Sequence, residues 1–285
     1  MTKKITIKRT ADNKILDDTW LFNLSSRTWR KPLYTDINPP ARYSMVYGND
    51  QPPSNSYRNA FIITGGKGNK KIYNDVWSFD FIRECWVEIT ASGDLPAPRY
   101  DAVGGIDITK FSKFNQLSTI YLILSHGRDD LQHFTDTYIL KLDGRSQQGD
   151  YSKLTAEWIK LNTENAPELK DGVANSVLSN DRLVVFGGCE ENKGNCDTKS
   201  YFLNVKFDPS RAKVELASWT ELSNDCTRPK AYAAAIRGSN GAADETENDR
   251  LIIYGGVTET KYGADADGEV AIFDMDKVIF FFYYF

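Results

Sequence analysis

The side chains whose types and positions could do chemistry are cations at matching points of the chain. Arg42, Arg99, Lys170 and Lys230 each follow a turn and precede a run of small residues. A guanidinium offers a planar bidentate fork to a carboxylate, and an ammonium offers a point charge. Such a set could hold an acidic peptide or carboxylate; it could equally satisfy backbone carbonyls and aspartates inside the fold, and the residues leave both readings open. Arg128 and His133 belong to a polar loop, 128–134. Cys189 and Cys196 flank Glu-Glu-Asn-Lys-Gly-Asn on another, where they could close a disulfide ring or stay as two thiols. No phosphate loop, nucleophile elbow or pair of acids at a defined spacing is present, so no catalytic residue is assigned. The four cysteines, Cys85, Cys189, Cys196 and Cys226, make no paired CxxC set, and no metal or cofactor is expected.

The elements that must position these residues recur. A β-branched or aromatic run ends in paired glycines at Gly65-Gly66, Gly187-Gly188 and Gly255-Gly256, and at His126-Gly127 the first glycine is replaced. An alternating aromatic strand follows each pair, as in Asp75-Val76-Trp77-Ser78-Phe79 and Asp136-Thr137-Tyr138-Ile139-Leu140; an equivalent strand stands near the start, Asp18-Thr19-Trp20-Leu21-Phe22. Period-two alternation of large side chains marks a strand with two packed faces. A tryptophan comes next, at Trp29, Trp86, Trp158 and Trp219. Each unit therefore reads as four strands: a small-residue strand a, a strand b ending in Gly-Gly, an aromatic strand c and a Trp-bearing strand d. A unit this small cannot bury its own core, so the copies must stack, and radial stacking buries both faces of every sheet.

Composition narrows the function classes. The 285 residues carry 41% hydrophobic and 13% aromatic content, ample for a core, and a net charge of −4 gives no footprint for nucleic acid. No apolar run is long enough to span a bilayer, and no secretory leader is visible at Met1–Arg9. The default location is cytoplasmic, becoming extracellular if Cys189 and Cys196 are paired.

Gly-Gly, Asn-Asp-Val-Trp, a spaced Trp and Pro-x-Pro-Arg, four landmarks in constant order, resemble the Kelch repeat of the galactose oxidase central-domain superfamily. The resemblance implies an all-β propeller of four-stranded blades, expected as one domain over 1–285 with blades near 3–38 (partial), 39–94, 95–165, 166–226 and 227–285. The first unit lacks a strand a, so the expectation is a partial propeller or a five-blade ring short of one strand. Val278–Phe285 can serve as the last strand d, with Phe280 in the Trp position, and the four tryptophans are expected in equivalent buried places. Strands c and d of the third and fourth units are separated by expected loop insertions, 143–155 and 204–218.

The resemblance also implies a protein-interaction or scaffold module that binds a protein partner through loops at one end. The d–a and b–c loops share that end, bringing Arg42, Arg99, Lys170 and Lys230 together with Arg128 and His133. A metal-dependent enzyme or specifier is the alternative. A copper site of the superfamily type needs two histidines beside tyrosines and a cysteine, and His126 and His133 do not supply it. The iron motif of the plant specifiers is matched at Asp129 and His133 only, with Ser125 where the glutamate would be.

Overall fold

The structure is a computed structural model that describes residues 3–6, 14–34, 37–50, 60–107, 120–143, 155–178, 182–190, 196–208, 213–222, 231–238, 250–260, 263–266, 270–274 and 279–283. Lys230 and the first and last two residues of the C-terminal run (278, 284 and 285) lie outside these, as do residues 144–154 of the first expected insertion.

Regular structure among the described residues is all β. Sheet 1 holds β1 (Lys3–Thr6), β2 (Trp20–Asn23) and β3 (Thr28–Arg30), the b, c and d strands of its unit. Sheet 2 runs β4 (Val46–Asp50), β5 (Ala60–Thr64), β6 (Val76–Asp80), β7 (Cys85–Ile89), each antiparallel to the next. In sheet 3, β8 (Ala91–Gly93) joins β9 (Val103–Asp107), β10 (Ile120–Ser125), β11 (Thr137–Asp143) and β12 (Thr155–Lys160). Sheet 4 has β13 (Thr163–Glu164) with β14 (Ala174–Val177), β15 (Arg182–Phe186), β16 (Ser200–Asp208) and β17 (Lys213–Leu222). In sheet 5, β18 (Ala234–Gly238) and β19 (Arg250–Tyr254) precede a separate hairpin, β20 (Val257–Thr260) with β21 (Gly263–Ala266), and then come β22 (Val270–Asp274) and β23 (Ile279–Tyr283).

The register explains the fixed spacing of the landmarks. Trp29 pairs with Phe22, Trp86 with Phe79, Trp158 with Leu140 and Trp219 with Leu203, the same rung of the c–d ladder each time. Phe280 takes that rung opposite Phe273, so the apolar C-terminal run does form a strand d. Alternation then divides each sheet between two interfaces. Ile62, Val76 and Ile89 of sheet 2 pack with Leu122, Leu140 and Trp158 of sheet 3, while Ile63, Trp77, Phe79 and Trp86 pack on Leu21 of sheet 1. Sheets 3 and 4 meet through Ile123 and Ile139 against Leu183, Leu203 and Trp219, and sheets 4 and 5 through Val184 and Phe186 against Leu251 and Ile253. The inner strands β4, β9, β14 and β18 lie successively side by side. Small residues permit this: a Cβ on Gly48 would stand 2.5 Å from Cγ1 of Ile106.

Three expectations are corrected. Trp29 is 47% exposed, whereas Trp86, Trp158 and Trp219 are 3%, 1% and 2% exposed. Each buried Trp packs against the sheet before its own, and no described sheet stands before sheet 1. Second, the four blade strands of sheets 3 and 4 are each joined by a short fifth, because β8 and β13 leave one unit's strand d and pair in parallel with the outer strand of the next sheet, while sheets 2 and 5 keep four strands. Third, the expected insertion at 204–218 contains strand, since β16 and β17 continue as a long hairpin with a register shift at Lys206/Phe207.

Candidate functional site

Strand polarity puts the start of each strand a beside the end of strand b, and a repeated backbone clamp locks the two together. Tyr43 bridges Lys67, Tyr100 bridges Arg128, Asp171 bridges Cys189 and Ala231 bridges Val257. The b–c loop then folds back on itself, so that Lys67 also bridges Ile72, Arg128 bridges His133 and Cys189 bridges Cys196. One end of the sheet array therefore carries the same small platform four times, which is where a binding rim on a rigid scaffold would sit.

The two arginines of the expected cation ring lie beneath this platform. Arg42 and Arg99 are 2% and 1% exposed. Arg42 forms a bidentate pair with Asp75, donates from Nε to the Pro40 carbonyl at 3.1 Å and from Nη1 to the Gly65 carbonyl at 3.1 Å, and stacks 4.0 Å from the Tyr73 ring centroid. Arg99 repeats the arrangement: Nε donates to Ala97 at 3.1 Å, and Nη1 donates to the His126 carbonyl at 3.0 Å and to Asp136 at 2.7 Å. The aspartates are held from the other side by the strand-c aromatic, Trp77 Nε1 donating to Asp75 at 2.9 Å and Tyr138 Oη donating to Asp136 at 2.8 Å. Burial pushes the Asp136 carboxyl up, but the hydrogen bonds from Arg99 and Tyr138 outweigh it and hold the group below its usual range. These arginines tie strand a to strand c; an external carboxylate would have to displace the aspartate that each buried guanidinium already holds.

The exposed side of the platform is built from other residues. Lys67 pairs with Asp130 of the next unit and lies 4.7 Å from the Tyr100 ring centroid. Arg128 donates from Nε to Tyr100 Oη at 2.7 Å and from Nη1 to Asp171 of the following unit at 2.9 Å. A ladder of alternating cation, tyrosine and carboxylate thus crosses three units, and Arg128 belongs to it. Lys170 is half-buried and His133 exposed nearby. Between them the 128–134 loop is fixed by Asp129, whose Oδ1 accepts from the amides of Leu131 at 2.7 Å and Gln132 at 2.8 Å; those two bonds hold the Asp129 carboxyl below its ordinary value. At the tip Leu131 is 95% exposed. Cys189 and Cys196 are joined as a disulfide in the next unit's loop.

The fourth unit breaks the pattern. Lys199 stands where Asp75 and Asp136 stand, and Lys170 stands where the arginines do, so the buried tie is not made there. Lys199 turns instead to Glu221 at 3.5 Å. An open cleft of about 450 Å³ lies here, lined by Pro167, Glu168, Asp197, Lys199, Tyr201 and Glu221 among others. The readable signal was the Lys-Ser-Tyr of 199–201 in place of Asp-Thr-Tyr, alongside Lys for Arg. Among the described residues, no three His, Cys, Asp or Glu side chains converge as a metal-ligand group, and no helix is long and apolar enough to cross a membrane.

His126 occupies the first glycine position with φ 58°, close to the 70°, 71° and 70° of Gly65, Gly187 and Gly255. A non-glycine residue in this left-handed region carries strain, so something must hold it. Its Nε2 donates to the Pro167 carbonyl at 2.8 Å, its Nδ1 is 2.9 Å from Ser125 Oγ, and its ring meets Trp219 edge-on at 5.2 Å. Burial lowers its pKa from 6.5 to about 4; the Pro167 bond and Asp136 oppose this, and Arg99 adds to it. Below pH 6.5 the unfolded chain takes up a proton that the folded chain refuses until about pH 4, so stability falls across that window, by on the order of 3 kcal/mol at its lower end. Urea titrations at several pH values should show this slope, and His126→Gln should flatten it.

Residues 9–147 match the model of the KLHDC2/KLHL20/DRC7 Kelch-repeats domain. A segment of 135 residues, 45% of the chain, is 28% identical to the flagellar outer arm dynein alpha chain of Chlamydomonas reinhardtii. The similarity spans 3% of that dynein chain's length. The match takes in β2 and β3 of sheet 1, the strands of sheet 2 and those of sheet 3 up to β11, so Kelch repeats are shown over residues 9–147, and the described residues as a whole form all-β sheets consistent with Kelch propeller blades.

Proposed function

We propose that this chain is a protein-binding module that docks its partner on the rim of d–a and b–c loops, centred on the 128–134 loop. The observation that carries the reading is Leu131: an almost fully exposed leucine at the tip of a loop that Asp129 holds in one conformation. A pre-ordered apolar anchor costs little entropy to bury, the usual character of a contact hot spot. Leu95 of a neighbouring d–a connection is also exposed, and Lys67, Arg128 and Asp130 frame the anchor with charge. Kelch-repeat domains serve in general as protein-interaction modules, and the units proposed at 39–94, 95–165, 166–226 and 227–285, with the partial 3–38, form one scaffold for this rim.

The test is quantitative capture with purified protein as bait, comparing wild type, Leu131→Asp and a control, Ile82→Asp, in the β6–β7 turn at the opposite end. A ciliary extract is the first source to use, because a flagellar outer arm dynein chain carries a similar segment. The specific partner's yield should fall at least about tenfold for Leu131→Asp, as expected for loss of a hot-spot leucine, and stay unchanged for Ile82→Asp. Equal yields from wild type and Leu131→Asp would remove the rim from consideration.

A further inference from the structure

In sheets 2 and 3 the buried guanidinium groups of Arg42 and Arg99 fill one repeated place. Its walls are the residue two before the arginine, a ring on the b–c loop, and the aspartate and aromatic side chain at the start of strand c. Arg42 lies 4.0 Å from the Tyr73 ring centroid, and Arg99 lies 4.3 Å from that of Phe134 and 5.3 Å from that of Tyr138. Backbone bonds fix the equivalent positions in sheet 4, because the amides of Tyr73, Phe134 and Asp197 donate to the second-glycine carbonyls of Gly66, Gly127 and Gly188. Asp197 therefore stands in the place of the loop ring, Lys199 in that of Asp136, Tyr201 in that of Tyr138 and Glu168 in that of Ala97. These four residues line the cleft of about 450 Å³, together with Trp219 and Glu221 among others. Lys170, at the arginine position, lines a different crevice beside His126, His133 and Asp171. The cleft is thus the place that a guanidinium fills in the two preceding units, here not filled by the chain's own cation.

We propose that this cleft receives an arginine side chain of the docked protein partner. The partner as its source rests on the rim reading above; the preference for a guanidinium does not. Glu168, Asp197 and Glu221 set three carboxylates against the one ammonium of Lys199, which Glu221 already holds at 3.5 Å, so the lining favours a cation. Tyr201 keeps a ring for the guanidinium plane, and a planar fork can serve two carboxylates at once where an ammonium cannot. The walls are set before a ligand arrives: the Lys199 amide donates to Asp197 Oδ1 at 2.9 Å, and the Pro167 carbonyl accepts from His126 Nε2 at 2.8 Å. Trp219 is 2% exposed, and its Nε1 has no hydrogen-bond partner among the described residues, whereas Trp86 Nε1 donates to Thr19 at 2.8 Å. A main-chain carbonyl of the arginine-bearing segment is the acceptor that this buried donor lacks.

N-acetyl-arginine amide titrated into the full 285-residue protein tests this, with binding read from the NMR shift of the Trp219 indole N–H. Saturable binding is expected, with a dissociation constant on the order of 1 mM. The uncharged isostere N-acetyl-citrulline amide should bind at least about tenfold more weakly. Glu221→Gln, at an exposed position, should weaken the arginine probe several-fold. The double variant Lys170→Arg/Lys199→Asp supplies the two partners that sheets 2 and 3 possess, so it should fill the cleft from within, lose the probe and melt at a higher temperature. Should it fail to fold, Glu168→Gln combined with Glu221→Gln probes the same cleft and should also lose the probe. No binding of the arginine probe, equal binding of the citrulline probe, tighter binding of N-acetyl-glutamate amide, or undiminished binding by either double variant would each overturn the proposal. Partner capture separates the cleft from the rim. A yield that falls for Leu131→Asp while the arginine probe does not bind overturns the cleft alone. A bound probe with equal yields from wild type and Leu131→Asp leaves the guanidinium site standing and overturns its assignment to a rim-docked partner.

Discussion

Arg42→Ala is expected to lower the free energy of unfolding by about 3–5 kcal/mol, the range for removing one partner of a buried ion pair. The cause is what remains: Asp75 loses its bidentate partner and keeps only the Trp77 indole, while the Pro40 and Gly65 carbonyls lose a buried donor. Arg42→Lys should recover little of this, because an ammonium cannot reproduce a fork that serves a carboxylate and two carbonyls at once. Arg83 provides the contrast. Its side chain is 55% exposed and lies 3.9 Å from Asp80, so Arg83→Ala should cost less than about 1 kcal/mol. Chemical denaturation followed by tryptophan fluorescence measures both, and similar small losses for Arg42 and Arg83 would show that the strand-a arginines are not structural ties.

Trp86→Ala should cost a further example of about 3–5 kcal/mol, while Trp29→Ala should cost about 1 kcal/mol or less, although the two occupy the same rung of their sheets. Trp86 lies inside a cluster with Phe79, Trp77, Phe81 and Leu21, meets Phe79 edge-on at 5.2 Å and satisfies its indole on Thr19. Trp29 touches Phe22 at 4.8 Å and is otherwise half in solvent. Truncation leaves a cavity in the first case and a shallower surface in the second. Thermal melts of the two variants separate the readings. Equal shifts in melting temperature would mean that Trp29 is covered in solution.

Much of the fold was legible because its causes are local. Paired glycines mark where strand b ends in a left-handed backbone, alternation marks strand c, and one register sets the distance to the Trp. The exposure of Trp29 was not legible in that way, since it depends on whether another sheet stands in front, a matter no spacing within the unit records. The fifth strands, β8 and β13, escaped for a similar reason: each is three residues or fewer and is strand only because the neighbouring sheet offers an edge. Arg128 and His133 could be read from the sequence as members of one b–c loop, and the start of each strand a as its neighbour, because the backbone bridges Tyr100–Arg128 and Arg128–His133 follow from the order of the strands. The sequence could not say that Arg42 and Arg99 point inward, because the deciding partners, Asp75 and Asp136, lie 33 and 37 residues away. That pairing was nonetheless written twice, as Arg with a later Asp-x-aromatic, and the fourth unit's Lys170 and Lys199 are its visible failure.

The central functional claim is that a partner sits on the loop rim. Hydrogen–deuterium exchange of the captured complex against the free protein tests it most directly, because each peptide reports its own end of the array. Slower exchange on binding is predicted in 67–74 and 128–134, with no change in the β6–β7 turn at 81–84 or along the β16–β17 hairpin. Protection confined to those last two segments, with the rim loops unchanged, would contradict it.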